Sequence, residues 1–544
     1  MKKFYLLIIL LFSISITSIR VNAKIILQPD YEMSDITLSI DKIELTDSAT
    51  ILDMSFYSLP QNAIRLIPET YLLGKNTGKE YKIKSTDGFQ LGEWINIPET
   101  GFIESKFFFE PLDESDLTVD FIEPDGWKVL GVKLYDDSVG KIKTNISGDV
   151  NVPSTAWLVI EEEGNDMRID KSYIVPVKNG KFSYELYTDY PRQFTIARGI
   201  EILRGSWRIG RFWSEGDDVN INFTLAERNK AMIEVDGGKL TDETVSFINS
   251  LQNLTDEFYN SNPAYIKYHQ MEDEGTLYTE EAKALREKKE LASTPQEEIE
   301  INNQIKSLDE ENKIFTPEGL KARDEYYYFL DTSRDSLQNL RLQFYKKKLN
   351  PPSLNGLAQI FTDLKYKSEL SDSLILLFEE NYSNFMPDHP YHKFITEMTR
   401  VLNPIPGNKY IDLRAPTPNG IFFNISDVIK DKIAVIDLWA SWCGPCRAHS
   451  MALIPVYEKY KDKGFRIIGI ARESGDTKAM ENAIEKDGYP WVNLVDLNDK
   501  LGVWSKYRAG LSGGKQILVD ENGIIVAVDP TAEEVESYLE SRLQ

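Results

Sequence analysis

Cysteine is almost absent from this chain: its 544 residues include two, Cys443 and Cys446, alongside only four histidines. A disulfide scaffold is thereby excluded. A structural zinc site takes about four ligands, usually from two cysteine pairs; no second pair exists, and His269, His389, His392 and His449 show no finger-like spacing. The chain also lacks a glycine-rich phosphate loop, a dinucleotide fingerprint between strand and helix, and a Gly-x-Ser-x-Gly elbow. No cofactor and no metal is expected, and capture of a metal by the two thiols is a minor third reading. A net charge of −24 argues against nucleic acid and anionic membranes as partners.

The two thiols stand together in Trp442-Cys443-Gly444-Pro445-Cys446, at the end of the apolar run Ile433-Ala434-Val435-Ile436-Asp437-Leu438-Trp439-Ala440-Ser441. That run reads as a buried strand, and the residues after Cys446 read as a helix. Cys443 then lies at the helix N-terminus, where unpaired amides and the helix dipole favour a thiolate. It is the expected nucleophile, and Cys446 is placed to resolve a mixed disulfide by closing back on it. A purely structural disulfide is the weaker reading, because so short a loop removes little unfolded-chain entropy.

The segment from Asp437 to Cys446 resembles the active-site stretch of thioredoxin-fold proteins, and its surroundings resemble the exported TlpA/ResA-like branch from about residue 407 to 544. Ala415-Pro416 with Asn419-Gly420 is similar to that branch's opening hairpin, and Tyr457 to Tyr460 lies on its first long helix. Residues 472–491 take the place of its central insertion, and Ile517 to Asp520 before Asn522-Gly523 matches its late hairpin. The resemblance implies a thiol-disulfide oxidoreductase with Cys443 and Cys446 as the catalytic pair and Trp442, Gly444 and Pro445 in the active-site loop. It implies that Asp437, costly to bury as a charge, accepts a proton from Cys446. The alternative for Asp437 is a hydrogen-bonded, inert residue at a strand end.

Two positions depart from the family pattern. Where it carries a cis-proline facing the disulfide this chain has Gly514, within the docking stretch Gly513, Gly514 and Lys515, and a cis bond is essentially a proline property. Met451 stands where the family pattern has a helix-kinking proline, which predicts a straighter helix. His449, one turn after Cys446, and Arg447 read first as exposed charges and second as groups that tune the thiolate. A peroxidase of the peroxiredoxin kind is disfavoured, since the cysteines lack a Pro-x-x-x-Thr-x-x-Cys context.

The expected fold class is multidomain: two N-terminal β-sandwich-like domains, a helical middle region and a C-terminal α/β thioredoxin-like fold. Residues 1–23 read as a signal peptide, with Met1-Lys2-Lys3, an apolar stretch and Val21-Asn22-Ala23 before Lys24. Residues 24–140 alternate like the strands of an immunoglobulin-like sandwich. Residues 141–238 form a small β domain, with Lys178-Asn179-Gly180 as a tight hairpin turn. Residues 239–403 read as a charged helical spacer, with a dimerisation surface as the second reading, and 404–544 as the thioredoxin-like domain. Trp94, Trp127, Trp157, Trp207 and Trp213 read as β-domain core ahead of a sugar-stacking surface.

The leading function is therefore a soluble periplasmic oxidoreductase. It would reduce disulfides of exported protein clients and be recharged by a membrane thiol carrier. The rival is a binding or scaffold protein whose thioredoxin-like domain has drifted.

Overall fold

The computed structural model describes residues 24–543, apart from 89, 125, 206–207, 226–230, 291–294, 367–369, 401–403 and 512. The signal peptide expected over 1–23 and Trp207 lie outside the described residues. Among these residues no helix is long and apolar enough to cross a membrane.

Among the described residues from Lys24 to Lys133, eight strands make one continuous antiparallel sheet, whose two halves share one apolar core, and Ala63–Ile64 pairs with Ile95–Asn96 apart from it. Glu80–Asp87 pairs on one side with Phe102–Phe109 and on the other with Tyr71–Gly74, carrying a register shift between Ile83 and Ser85. That shared strand makes the sheet continuous, and a bridge between Met33 and Leu130 ties its last strand back towards its beginning. Alternation follows the strand period of two: Phe107 and Phe109 point into a core with Phe56, Tyr81 and Phe121, while Lys106 faces out.

The next strands form two four-stranded sheets, and one apolar cluster takes Ile146, Ile221 and Phe223 from the first and Leu158, Ile160 and Phe212 from the second. Asn179 and Gly180 both take positive φ, 53° and 71°, as an Asn-Gly turn of the mirror-image type requires. Lys178 and Lys181 exchange both backbone hydrogen bonds, at 2.9 and 3.1 Å, so the expected tight hairpin turn is present, but the strands it joins part beyond it. Ser172–Pro176 pairs with Trp157–Glu162, and Lys181–Thr188 with Ile142–Asp149, so the turn joins the two sheets. Of the tryptophans, Trp157 and Trp213 are fully buried and Trp127 packs against a core, but Trp94 is 65% exposed under the Arg65 guanidinium. Core is the wrong place for Trp94.

Eight helices follow between Lys239 and Arg400. They are more than a spacer. The later ones build an apolar core of Leu357, Ile360, Phe361, Leu374, Phe378 and Tyr391, and Trp213 of the β unit inserts into it. The indole of Trp213 donates to Thr244 Oγ1 at 2.8 Å, and Tyr391 Oη accepts the Gln193 amide at 2.8 Å.

In the C-terminal unit the sheet order is Val492–Leu497, Phe465–Glu473, Ile433–Trp439, Lys515–Val519 and Ile525–Val528. The first three strands are parallel and the last two antiparallel. Ile433–Trp439 is central and all seven of its residues are buried, which explains its unbroken apolar run. Val435 and Trp439 face the helices Gly444–Tyr460 and Ala532–Arg542, while Ala434, Ile436 and Leu438 face the opposite layer. By the same period Asp437 faces the active-site helix.

Candidate active site

Cys443 and Cys446 are joined as a disulfide at the junction of the central strand and the helix Gly444–Tyr460. Cys443 is the N-cap: its Sγ accepts the Cys446 amide at 3.3 Å. Cys446 Sγ accepts the Gly514 amide at 3.2 Å from the neighbouring loop. Each sulfur thus holds one backbone N–H, a bond that strengthens when the sulfur is ionised. Pro445, in the first turn, removes a donor the helix would not have used internally.

Asp437 is buried beneath this turn. Ser450 Oγ donates to its Oδ2 at 2.6 Å and to the Cys446 carbonyl at 3.0 Å, while Gln516 Nε2 reaches Oδ1 at 3.3 Å. Burial pushes the carboxyl up, the two hydrogen bonds pull it partly back, and it settles at about 6. An acid with that pKa is ionised at neutral pH yet protonates readily.

Ser441, just ahead of the loop, is fixed by Glu473, whose carboxylate accepts its amide and its hydroxyl, both at 2.7 Å. Burial pushes the Glu473 carboxyl up. Sequence reasoning passed over Glu473, Ser450 and Gln516. For Glu473 a signal existed: Arg472-Glu473 ends the apolar run Ile467–Ala471 much as Asp437 interrupts its own.

Several expectations need correction. Arg447 is no exposed thiolate stabiliser: its Nε and Nη2 hold Asp487 at 2.6 and 2.7 Å, and Nη1 donates to the Ser441 carbonyl at 3.2 Å. Lys515 is buried, with Nζ donating to the Tyr507 and Arg508 carbonyls at 3.1 and 2.9 Å, so any part it has in docking falls to its backbone and not its amine. The helix also carries an internal proline after all, Pro455, one turn beyond Met451. Lacking an N–H, Pro455 interrupts the ladder at the Met451 carbonyl. His449 is exposed.

Gly514 has its own steric reason. A Cβ built there would run into the Leu438 carbonyl oxygen, and it would lie 3.2 Å from Cys446 Sγ. The bond before it is not among the cis peptides. Gly513 has open space at its own Cβ position.

The sheet order, the capping cysteine and the carboxyl beneath it decide the fold. The C-terminal domain is thioredoxin-like. Residues 406–528 match the model of the AhpC/TSA family. Among curated proteins, the thiol-disulfide oxidoreductase ResA of Bacillus anthracis is 28% identical over 114 residues, 20% of this chain and 64% of that protein. ResA of Geobacillus kaustophilus is 28% identical over 155 residues, covering 28% and 84%. The thiol:disulfide interchange protein DsbE of Allochromatium vinosum is 29% identical over 101 residues, covering 18% and 51%. The chain thus spans just under two thirds of the Bacillus relatives' length. Among solved structures, the thioredoxin domain of a thiol-disulfide oxidoreductase from Bacteroides vulgatus is 26% identical, with 26% of this chain and 99% of that one covered and a TM-score of 0.24. The thioredoxin-like domain is similar to the TlpA/ResA-like thiol-disulfide oxidoreductases.

Proposed function

We propose that this protein is an exported thiol-disulfide oxidoreductase that reduces disulfides of protein clients in the periplasm. The observation that carries the reading is the pair of sulfurs, each on a backbone amide, set above a buried carboxyl whose pKa is about 6. In the reduced protein the Cys443 thiolate, at the helix N-terminus, attacks one sulfur of the client disulfide. A Cys443–client bond forms, and one client thiolate leaves.

Cys446 then loses its proton to the ionised Asp437 carboxylate and attacks Cys443 Sγ. The Cys443–Cys446 disulfide forms, the second client thiolate leaves, and two electrons have passed to the client. Gly514 N–H supports the charge on Cys446, and the Glu473–Ser441 bonds hold the strand end from which the loop departs. Gly444-Pro445 between the cysteines is similar to reducing thioredoxins and supports the reductive direction. An oxidising compartment then requires recharging by a membrane thiol carrier.

The rival scaffold reading drew on Gly514 and Met451. It is weakened by the Gly514 bond to Cys446 and by Pro455 in the helix. Cys443→Ser should abolish reduction of insulin with dithiothreitol as electron source. A wild-type rate in that variant would overturn the assignment.

A further inference from the structure

Cys443 is a poorly exposed nucleophile, at 5% of its surface, and the tryptophan before it is covered by a residue of another unit. Residues 163–171, between the strands Trp157–Glu162 and Ser172–Pro176 of the second β unit, reach the thioredoxin-like domain. There the Arg168 guanidinium lies 3.3 Å from the centroid of the Trp442 ring, next to Cys443. Its Nη2 donates to the Leu511 carbonyl at 3.2 Å, and the Leu511 amide donates to the Lys365 carbonyl at 3.4 Å.

The loop is fastened from both sides. Asp166 takes Arg168 Nε at 2.6 Å and Nη2 at 2.7 Å, a fork-to-fork pair. It also takes Nη1 of Arg472 at 2.6 Å, an arginine 3% exposed at the end of a thioredoxin-domain strand. Arg472 is steadied in turn by Asp499 at 3.3 Å and by the Trp504 ring.

An extended client needs backbone partners where it adds as a strand. At Leu511 and Gly514 such partners are engaged: the Leu511 amide and carbonyl by Lys365 and Arg168, and the Gly514 amide by Cys446 Sγ. We infer that Arg168 is a specificity-determining residue: stacked on Trp442 and bonded to Leu511, it keeps extended protein segments off the disulfide. Disulfides small enough, or carried on a chain end free enough, to reach Cys443 without laying a strand beside Leu511 and Gly514 are the ones served. The inference rests on the oxidoreductase reading, because it concerns which disulfide the Cys443 thiolate attacks.

The test uses the full chain, reduced with dithiothreitol, desalted, and mixed in single turnover with either insulin or the neutral small disulfide 2-hydroxyethyl disulfide. Trp442 fluorescence and free thiol report the reaction. Arg168→Ala should raise the insulin rate roughly tenfold, the scale of a desolvated cation–π contact, and change the small-disulfide rate less than about twofold. Arg168→Lys keeps the charge beside Asp166 but loses the planar stack, and it should shift the ratio in the same direction. Parallel changes with both substrates, or an unchanged ratio in both variants, overturn the inference alone. A wild-type dithiol inert towards 2-hydroxyethyl disulfide overturns it together with the reading beneath it.

Discussion

The floor of the redox site and the loop that lies over it each bury one aspartate, and the two carboxyls move in opposite directions. Burial raises both. Beneath Cys446, Asp437 has a hydroxyl, an amide and the more distant charge of His449 to oppose that rise, and it stays up at about 6. In the overlying loop, Asp166 meets burial with bonds and charge from Arg168 and the charge of Arg472, which together hold it below the usual carboxylate range. A carboxyl bonded only to neutral groups is suited to exchanging a proton. A carboxyl between two guanidinium groups is suited to holding two units together.

The strongest way to break this comparison is to remove Asp166. Asp166→Asn leaves Arg472 buried with Asp499 as its nearest remaining anion. Stranding one member of a buried pair costs about 3–5 kcal/mol. The urea midpoint, followed by tryptophan fluorescence, should fall accordingly; a loss under about 1 kcal/mol would mean the pair fastens nothing.

Asp437→Asn should act in the other direction and sharpen the contrast. The folded carboxyl titrates near 6 and the unfolded one near 4. The folded state therefore binds more protons between those values, and the wild type loses stability as pH rises through that window. The asparagine variant has nothing to lose there. It should be more stable than wild type by about 3 kcal/mol above pH 7, with the gain fading to nothing below about pH 4. Thermal melts across pH 4 to 8 measure it, and a gain independent of pH would show that the carboxyl is not its source. The same variant should slow resolution of the mixed disulfide.

The smallest effect belongs to a third kind of contact. Lys128 of the first β unit pairs with Asp476 of the thioredoxin-like domain at 3.1 Å, with Asp476 43% exposed and Lys128 23%. Lys128→Ala should cost less than about 1 kcal/mol. A loss near that for Asp166→Asn in the same urea titration would erase the distinction between a buried anchor and a surface pair.

What the sequence made legible was local. A seven-residue apolar run ending at a Cys-Gly-Pro-Cys turn specifies strand, loop and helix within some thirty residues, and the out-of-place Asp437 announces itself against that background. The contacts that complete the site are not local. Arg472 finds Asp166 across 306 positions, and Arg168 finds Leu511 across 343. Charged residues in a polar stretch such as 161–171 look alike until a partner is in place, so Arg168 carried no mark. Lys515 is a related case: nothing in the sequence marks the two carbonyls that hold the amine of this strand-opening lysine inside. Pro455 was in plain view, displaced by four positions from where the family pattern puts it.

The single disulfide also matters for how the molecule is made. With Cys443 and Cys446 as its only thiols, the chain has one intramolecular pairing and no isomers of it to sort. Its oxidative folding therefore needs no reshuffling step, and every covalent error open to this chain is an encounter with a thiol of another molecule.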